Sequence, residues 1–283
     1  MSLRLNSSIF TALFVVTGVL SVYSQISTPP PRPLNPAPKA RAKPSPTPDK
    51  TIVSAKPVTA EQVLEAALIF AYAYPEGRTK LNQIRKTTLE RGKATYTSAD
   101  GKIEQSTYQR FVIRAETLDK EKIRLDQEFP NARYSLVFAG QKIYGIFNNS
   151  VFEPREDASK GFENQIIHGI EALLRYKEDE SRIEMTPVKE KIMGVEYYVI
   201  DLTDKKERKT RYYLSAKTFR IMMLTYEDGG VKYRRKFYDY NSAQGTLVPY
   251  RTVLWADDKQ IEETTIGTVT YGQKVDDEIF KAS

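Results

Sequence analysis

The sequence has no cysteine, one histidine and one tryptophan in 283 residues. Without cysteine it can form no disulfide, zinc–thiolate site or thiol nucleophile, and it has no cysteine to carry a lipid. One histidine excludes a multi-histidine metal centre. Neither phosphate-loop nor dinucleotide glycine spacing occurs. The acidic pairs Asp257-Asp258, Glu262-Glu263 and Asp276-Asp277 are sequence neighbours. On a strand such neighbours point to opposite faces, whereas a carboxylate hydrolase needs two acids converging across a cleft. No catalytic set, metal site or cofactor site is therefore visible.

Charge is present but unevenly placed. Ten of the fifteen prolines lie between Pro29 and Pro57, a stretch with six Lys or Arg against Asp49 alone. The net charge of +7 belongs largely to this tail, because residues 59–283 carry 36 basic against 35 acidic side chains. A nucleic-acid-binding domain needs a basic surface of its own to replace counterions on phosphate, so that class is set aside.

Long apolar runs are also scarce. Ile9 to Val22 is interrupted only by Thr11, Thr17, Gly18 and Ser21, follows Arg4, and precedes Val22-Tyr23-Ser24. A charged n-region, a short apolar core and small residues before a cut predict a secretory signal over residues 1–24, cleaved near Ser24. Fourteen helical residues span about 21 Å, short of the roughly 30 Å hydrocarbon core, which argues against a retained anchor. The expected destination is the periplasm. Residues 25–58 form a Pro/Ala/Lys linker with too few apolar groups to offset its ordering entropy, so it is expected to be disordered.

Folded sequence begins at residue 59. Thr59-Ala60-Glu61-Gln62 has capping-box spacing, and the apolar positions that follow predict a helix to about Tyr74, stopped by Pro75. The period then changes to two. Ser98-Ala99-Asp100-Gly101 sits between alternating runs as a hairpin turn. About eleven short strands are predicted, interrupted by one helix from Ala158 to Lys177 with the stripe Phe162, Ile166, Ile170, Leu173 and Leu174. Helical projection puts His168 opposite that stripe, hence in solvent. The pattern predicts a mainly β (α+β) fold, one antiparallel sheet strongly curved or closed, with two or three helices. Phe219 to Tyr226 is apolar on both faces over most of its length, so one face is expected to meet a helix and the other to line core or cavity.

The order of these features resembles the periplasmic outer-membrane lipoprotein carriers, the LolA-like family, across Thr59 to Ser283. The carriers of the resemblance are the hairpin Phe138-Ala139-Gly140-Gln141-Lys142-Ile143-Tyr144-Gly145-Ile146-Phe147, the turn Tyr212-Tyr213-Leu214-Ser215-Ala216-Lys217-Thr218, and the closing segment Val275-Asp276-Asp277-Glu278-Ile279-Phe280. The resemblance implies an unclosed β-barrel covered by helices, holding the acyl chains of a lipoprotein or lipid without covalent chemistry. It also implies inner- and outer-membrane protein partners. A functional arginine in a V-x-R context maps to Arg114, although Ala115 stands where the family has proline. Ligand-binding candidates are Arg114, Ile166, Ile170, Leu173, Ile221, Met223 and Tyr233. The alternative is a periplasmic sensor or regulatory module of the same fold that binds a protein partner.

Overall fold

Alternation dominates the chain after residue 86, and a computed structural model, which describes residues 58–281, turns it into one sheet of fourteen antiparallel strands. The first meander comprises β1 (Thr87–Thr97), β2 (Ile103–Ile113), β3 (Lys122–Phe129), β4 (Ala132–Ala139), β5 (Lys142–Phe147) and β6 (Ser150–Phe152). The second comprises β7 (Arg182–Met185), β8 (Glu190–Ile192), β9 (Val195–Thr203), β10 (Lys209–Ser215), β11 (Ile221–Asp228), β12 (Val231–Ala243), β13 (Thr246–Ala256) and β14 (Lys259–Tyr271). Pairing of β1 with β14 welds the two meanders, leaving β6 and β7 as free edges of an unclosed, curved sheet. The expected signal and linker lie outside the described residues, among which no helix is long and apolar enough to cross a membrane.

Local chemistry explains the turns. Asp100-Gly101 closes the β1–β2 hairpin with Gly101 at φ +84°, the left-handed region that glycine enters without steric cost. At Gly92 the β1–β14 register shifts, and a Cβ would lie 2.2 Å from the Thr265 carbonyl oxygen, so only glycine permits the approach.

Helices cover the sheet in two sets. Helix α1 (Ala60–Ala67) starts on the expected capping box, with the Gln62 amide donating to Thr59 Oγ1 at 3.3 Å and the Thr59 amide to Gln62 Oε1 at 3.0 Å. A π-helical turn (Leu68–Tyr72) extends it, and α2 (Arg78–Ile84) follows Pro75. Leu64, Leu68 and Tyr72 from this set bury against Ile200, Tyr212, Ile221 and Leu224 of the second meander. The other set is the connection between the free edges, α3 (Glu156–Ile167) and α4 (Ile170–Leu174), with Phe162 packed on Tyr108, Val112, Ile123 and Leu125 of the first meander.

The single helix expected from Ala158 to Lys177 is therefore broken. Gly169 turns extended, with φ −100° and ψ 171°, and the Tyr212 hydroxyl donates to its carbonyl at 2.8 Å. The break changes the fate of His168, because a projection over one continuous helix no longer applies. His168 caps α3, is only 3% exposed, lies 2.7 Å from Thr210 Oγ1 through Nδ1, and stacks on Tyr226 at 3.8 Å between ring centroids. Its expected solvation is corrected accordingly.

Candidate functional site

A cavity of about 230 Å³ lies between the sheet and the α3–α4 cover. Its apolar wall includes Val112, Ile123 and Leu125 from β2 and β3 and Ile266 from β14, facing Ile166 and Ile170 of the cover. A second cavity of about 450 Å³ shares Leu118, Ile166, Ala172 and Asp179 with the first. Its rim carries Lys205, Lys206 and Arg208 from the β9–β10 turn. Together the two fall within the range of about 300–1,000 Å³ usual for ligand sites.

One end of the first cavity is closed by charge. Arg85, Glu171, Arg114, Glu121 and Arg175 alternate in sign along a chain of ion pairs. Arg85 pairs with Glu171, and Arg175 with Glu121. Arg114 stands between the two acids, at 2.7 Å from Glu171 and 3.6 Å from Glu121. Arg114 Nε also donates to the Arg85 carbonyl at 3.1 Å, and Arg175 to the Ala115 carbonyl at 2.8 Å. The α4 residue Glu171 is thereby fastened to the end of α2 and to the β2–β3 connection. Burial alone would push the Glu171 carboxyl up, but Arg114 and Arg85 outweigh it and hold the group below the usual carboxylate range. Asp179, across the cavity, moves the other way: burial raises it, and neither Arg175 nor the Leu118 amide fully offsets that.

The candidate residues divide by position. Arg114, Ile166 and Ile170 line the first cavity. Leu173 and Ile221 are 0% exposed in the solid core formed by α1 and the second meander. Met223 pairs with Tyr213 and Lys236 and faces away from Leu224, so it lies on the opposite side of the sheet from the cavity. Tyr233 joins the stack His168–Tyr226–Tyr233, its ring 4.8 Å from that of Tyr226, beside the cavity rather than in its lining. Arg85, Glu121, Glu171, Arg175 and Arg235, all cavity-lining, were not anticipated. Arg235 did carry a local signal: it alternates with Tyr233 and Phe237 on the apolar side of β12, where a cation is out of place.

This arrangement of one open sheet, a cover joining its free edges and a cavity beneath can be compared with solved structures. A LolA superfamily protein from Nitrosomonas europaea superposes with a TM-score of 0.55 over 79% of this chain and 98% of its own, at 14% identity. The chain has the LolA-superfamily fold. An outer-membrane lipoprotein-sorting protein domain from Vibrio parahaemolyticus, described as putative in that role, matches with a TM-score of 0.46 at 12% identity, over 69% of this chain and 88% of that one. A DUF1329 family protein from Desulfovibrio piger gives 0.46 at 13% identity, over 72% and 94%. No family model and no curated protein sequence matches the chain. Among the described residues no group of three or more His, Cys, Asp or Glu side chains is arranged to hold a metal ion.

Proposed function

We propose that this protein is an exported periplasmic carrier that takes an acyl chain of a lipoprotein or lipid into the cavity beneath α3 and α4, by burial and without covalent chemistry. The observation that carries the reading is the position of that cavity, between the open sheet of a LolA-superfamily fold and a cover bearing Ile166 and Ile170. Each methylene moved from water to such a lining contributes about 0.8 kcal/mol, so some ten of them reach micromolar affinity before ordering costs. Arg114, at the end of β2, stands at the charged end of the cavity, where it links the cover to the sheet.

The test is direct. The protein exported by its native host is purified in mild conditions, and lipids or acylated peptides that accompany it are identified by mass spectrometry. A fluorescent fatty acyl probe is then titrated into the delipidated protein. Saturable binding at micromolar concentration or tighter supports the carrier reading. No accompanying lipid and no probe binding overturn it.

A further inference from the structure

Among the charged side chains lining the first cavity, Arg235 is without a partner. It is 7% exposed. Its neighbours across the sheet are Leu224 of β11 and Leu254 of β13, so both flanks are apolar. The same cross-strand row reaches Glu262 of β14, opposite Leu254. Two strand spacings put those Cα atoms roughly 10 Å apart. Among the described residues no hydrogen bond, ion pair or aromatic ring engages its guanidinium, although Arg235 lines the cavity.

None of the cavity's acids is hydrogen-bonded or ion-paired to Arg235. Glu121 belongs to Arg175 and Arg114, and Glu171 to Arg85 and Arg114. Glu90 accepts from the Tyr108 hydroxyl at 2.8 Å, and Asp179 from the Leu118 amide at 2.9 Å. Glu262 accepts from Thr264 at 3.0 Å and from Gln165 at 3.4 Å. An arginine cannot shed its charge in a protein, and a buried cation without a counter-ion is costly. Arg235 therefore presents donors to the cavity that no acid of this chain satisfies.

We propose that Arg235 is the anion-recognition residue of the cavity, so that its ligand is an amphiphile with a negatively charged head, a carboxylate or a phosphoester, on an acyl or alkyl tail. The inference rests on the carrier reading and narrows its ligand class. The head pairs with the guanidinium on the concave wall of β12, and the tail lies along Val112, Ile123, Leu125 and Ile166. Paired charge-assisted hydrogen bonds from a guanidinium suit either head, whereas the carbonyl of a neutral ester accepts from it without a charge of its own and is held more weakly.

Displacement of a fluorescent acyl probe at pH 8 by dodecanoate, dodecyl phosphate and methyl dodecanoate tests this. The wild-type protein is expected to bind at least one anionic amphiphile ten-fold or more tighter than the ester. Tighter binding of dodecyl phosphate assigns the head to a phosphoester, and tighter binding of dodecanoate assigns it to a carboxylate. Arg235→Met should abolish the preference while leaving ester binding within about two-fold, and should not lower the unfolding temperature of the ligand-free protein, because it removes an unpaired buried charge. Arg235→Lys should restore part of the preference. Equal binding of anions and ester to the wild type overturns the assignment and leaves the carrier reading standing, whereas binding of none of the three overturns both. A preference that survives in Arg235→Met, or a ligand-free Arg235→Met protein that unfolds at markedly lower temperature, assigns Arg235 a structural role instead.

Discussion

Protonating His168 should destabilise the fold between pH 6.5 and 3, and the size of the effect can be worked out. Its ring is lowered from the ordinary value of 6.5 to about 3, first by burial and then by the charges of Arg235 and Arg208, with Asp228 and Asp204 opposing. In this interval the unfolded chain binds the proton and the folded chain does not, so stability rises with pH and falls on acidification. The whole gap is worth about 5 kcal/mol, of which roughly 2 kcal/mol is lost by pH 5. Other groups titrate over the same range, so the comparison is with His168→Phe. That variant keeps a flat ring against Tyr226 but leaves Thr210 Oγ1 without its partner, costing about 1–3 kcal/mol at neutral pH.

Urea unfolding of both proteins from pH 8 to pH 5 should therefore show the gap between them narrowing by about 2 kcal/mol, since only the wild type carries the linked proton. One histidine in the sequence makes the second assay unambiguous. In a protein without an added histidine tag, the single imidazole Cε1 proton signal should not shift between pH 8 and 5. A midpoint near 6.5 in the folded state, or a gap independent of pH, would refute the buried, neutral assignment.

Three further outcomes follow from the geometry. Arg114→Leu leaves Glu171 to Arg85 alone and Glu121 to Arg175 alone, and should cost about 2 kcal/mol in urea unfolding, less than a buried pair losing its only partner. An unchanged midpoint would count against the ion chain as an anchor of α4. Ile166→Asp, at a half-buried cavity wall, should fold yet lose acyl-probe binding, whereas Leu173→Asp, at 0% exposure, should not fold, as circular dichroism would report. Removing residues 28–56 should leave the unfolding temperature unchanged, because that segment has no apolar periodicity with which to hold the domain, and a fall of several degrees would contradict this.

Local signals in the sequence foretold local structure. The Thr59–Gln62 capping box and the Asp100-Gly101 turn depend on residues three or fewer apart, and both formed as the spacing indicates. Alternation likewise gave one antiparallel sheet, curved or closed, and the family resemblance gave its open edges. The weld between β1 and β14 is another matter: Tyr96 opposes Glu262, and no period in either strand encodes a partner so distant. Helix α2 escaped notice because Leu81 is its one buried residue, too little for a stripe. The three-residue strands β6 and β8 are shorter than any alternation can reveal.

The cavity was legible where it coincides with an apolar stripe, which gave Ile166 and Ile170, and where the family resemblance pointed to Arg114, while its other charged members were not found. Projection treats a helix as continuous, yet α3 stops at Ile167, and His168, its non-helical cap with φ −101° and ψ 42°, sits in the core rather than on the expected solvent face. Hydropathy likewise reads an arginine as a surface residue, whereas five of them line this cavity: Arg85, Arg110, Arg114, Arg175 and Arg235. Arg85, Arg114 and Arg175 meet carboxylates, and Arg110 donates to Gln165 at 2.6 Å. Those four are explained by the fold's own contacts, whose hydrogen bonds join segments up to 162 residues apart and so leave no local trace. Arg235 is the remainder. A buried cation with no counter-ion opposes folding and therefore points beyond the fold, to a group that reaches the cavity from outside the chain.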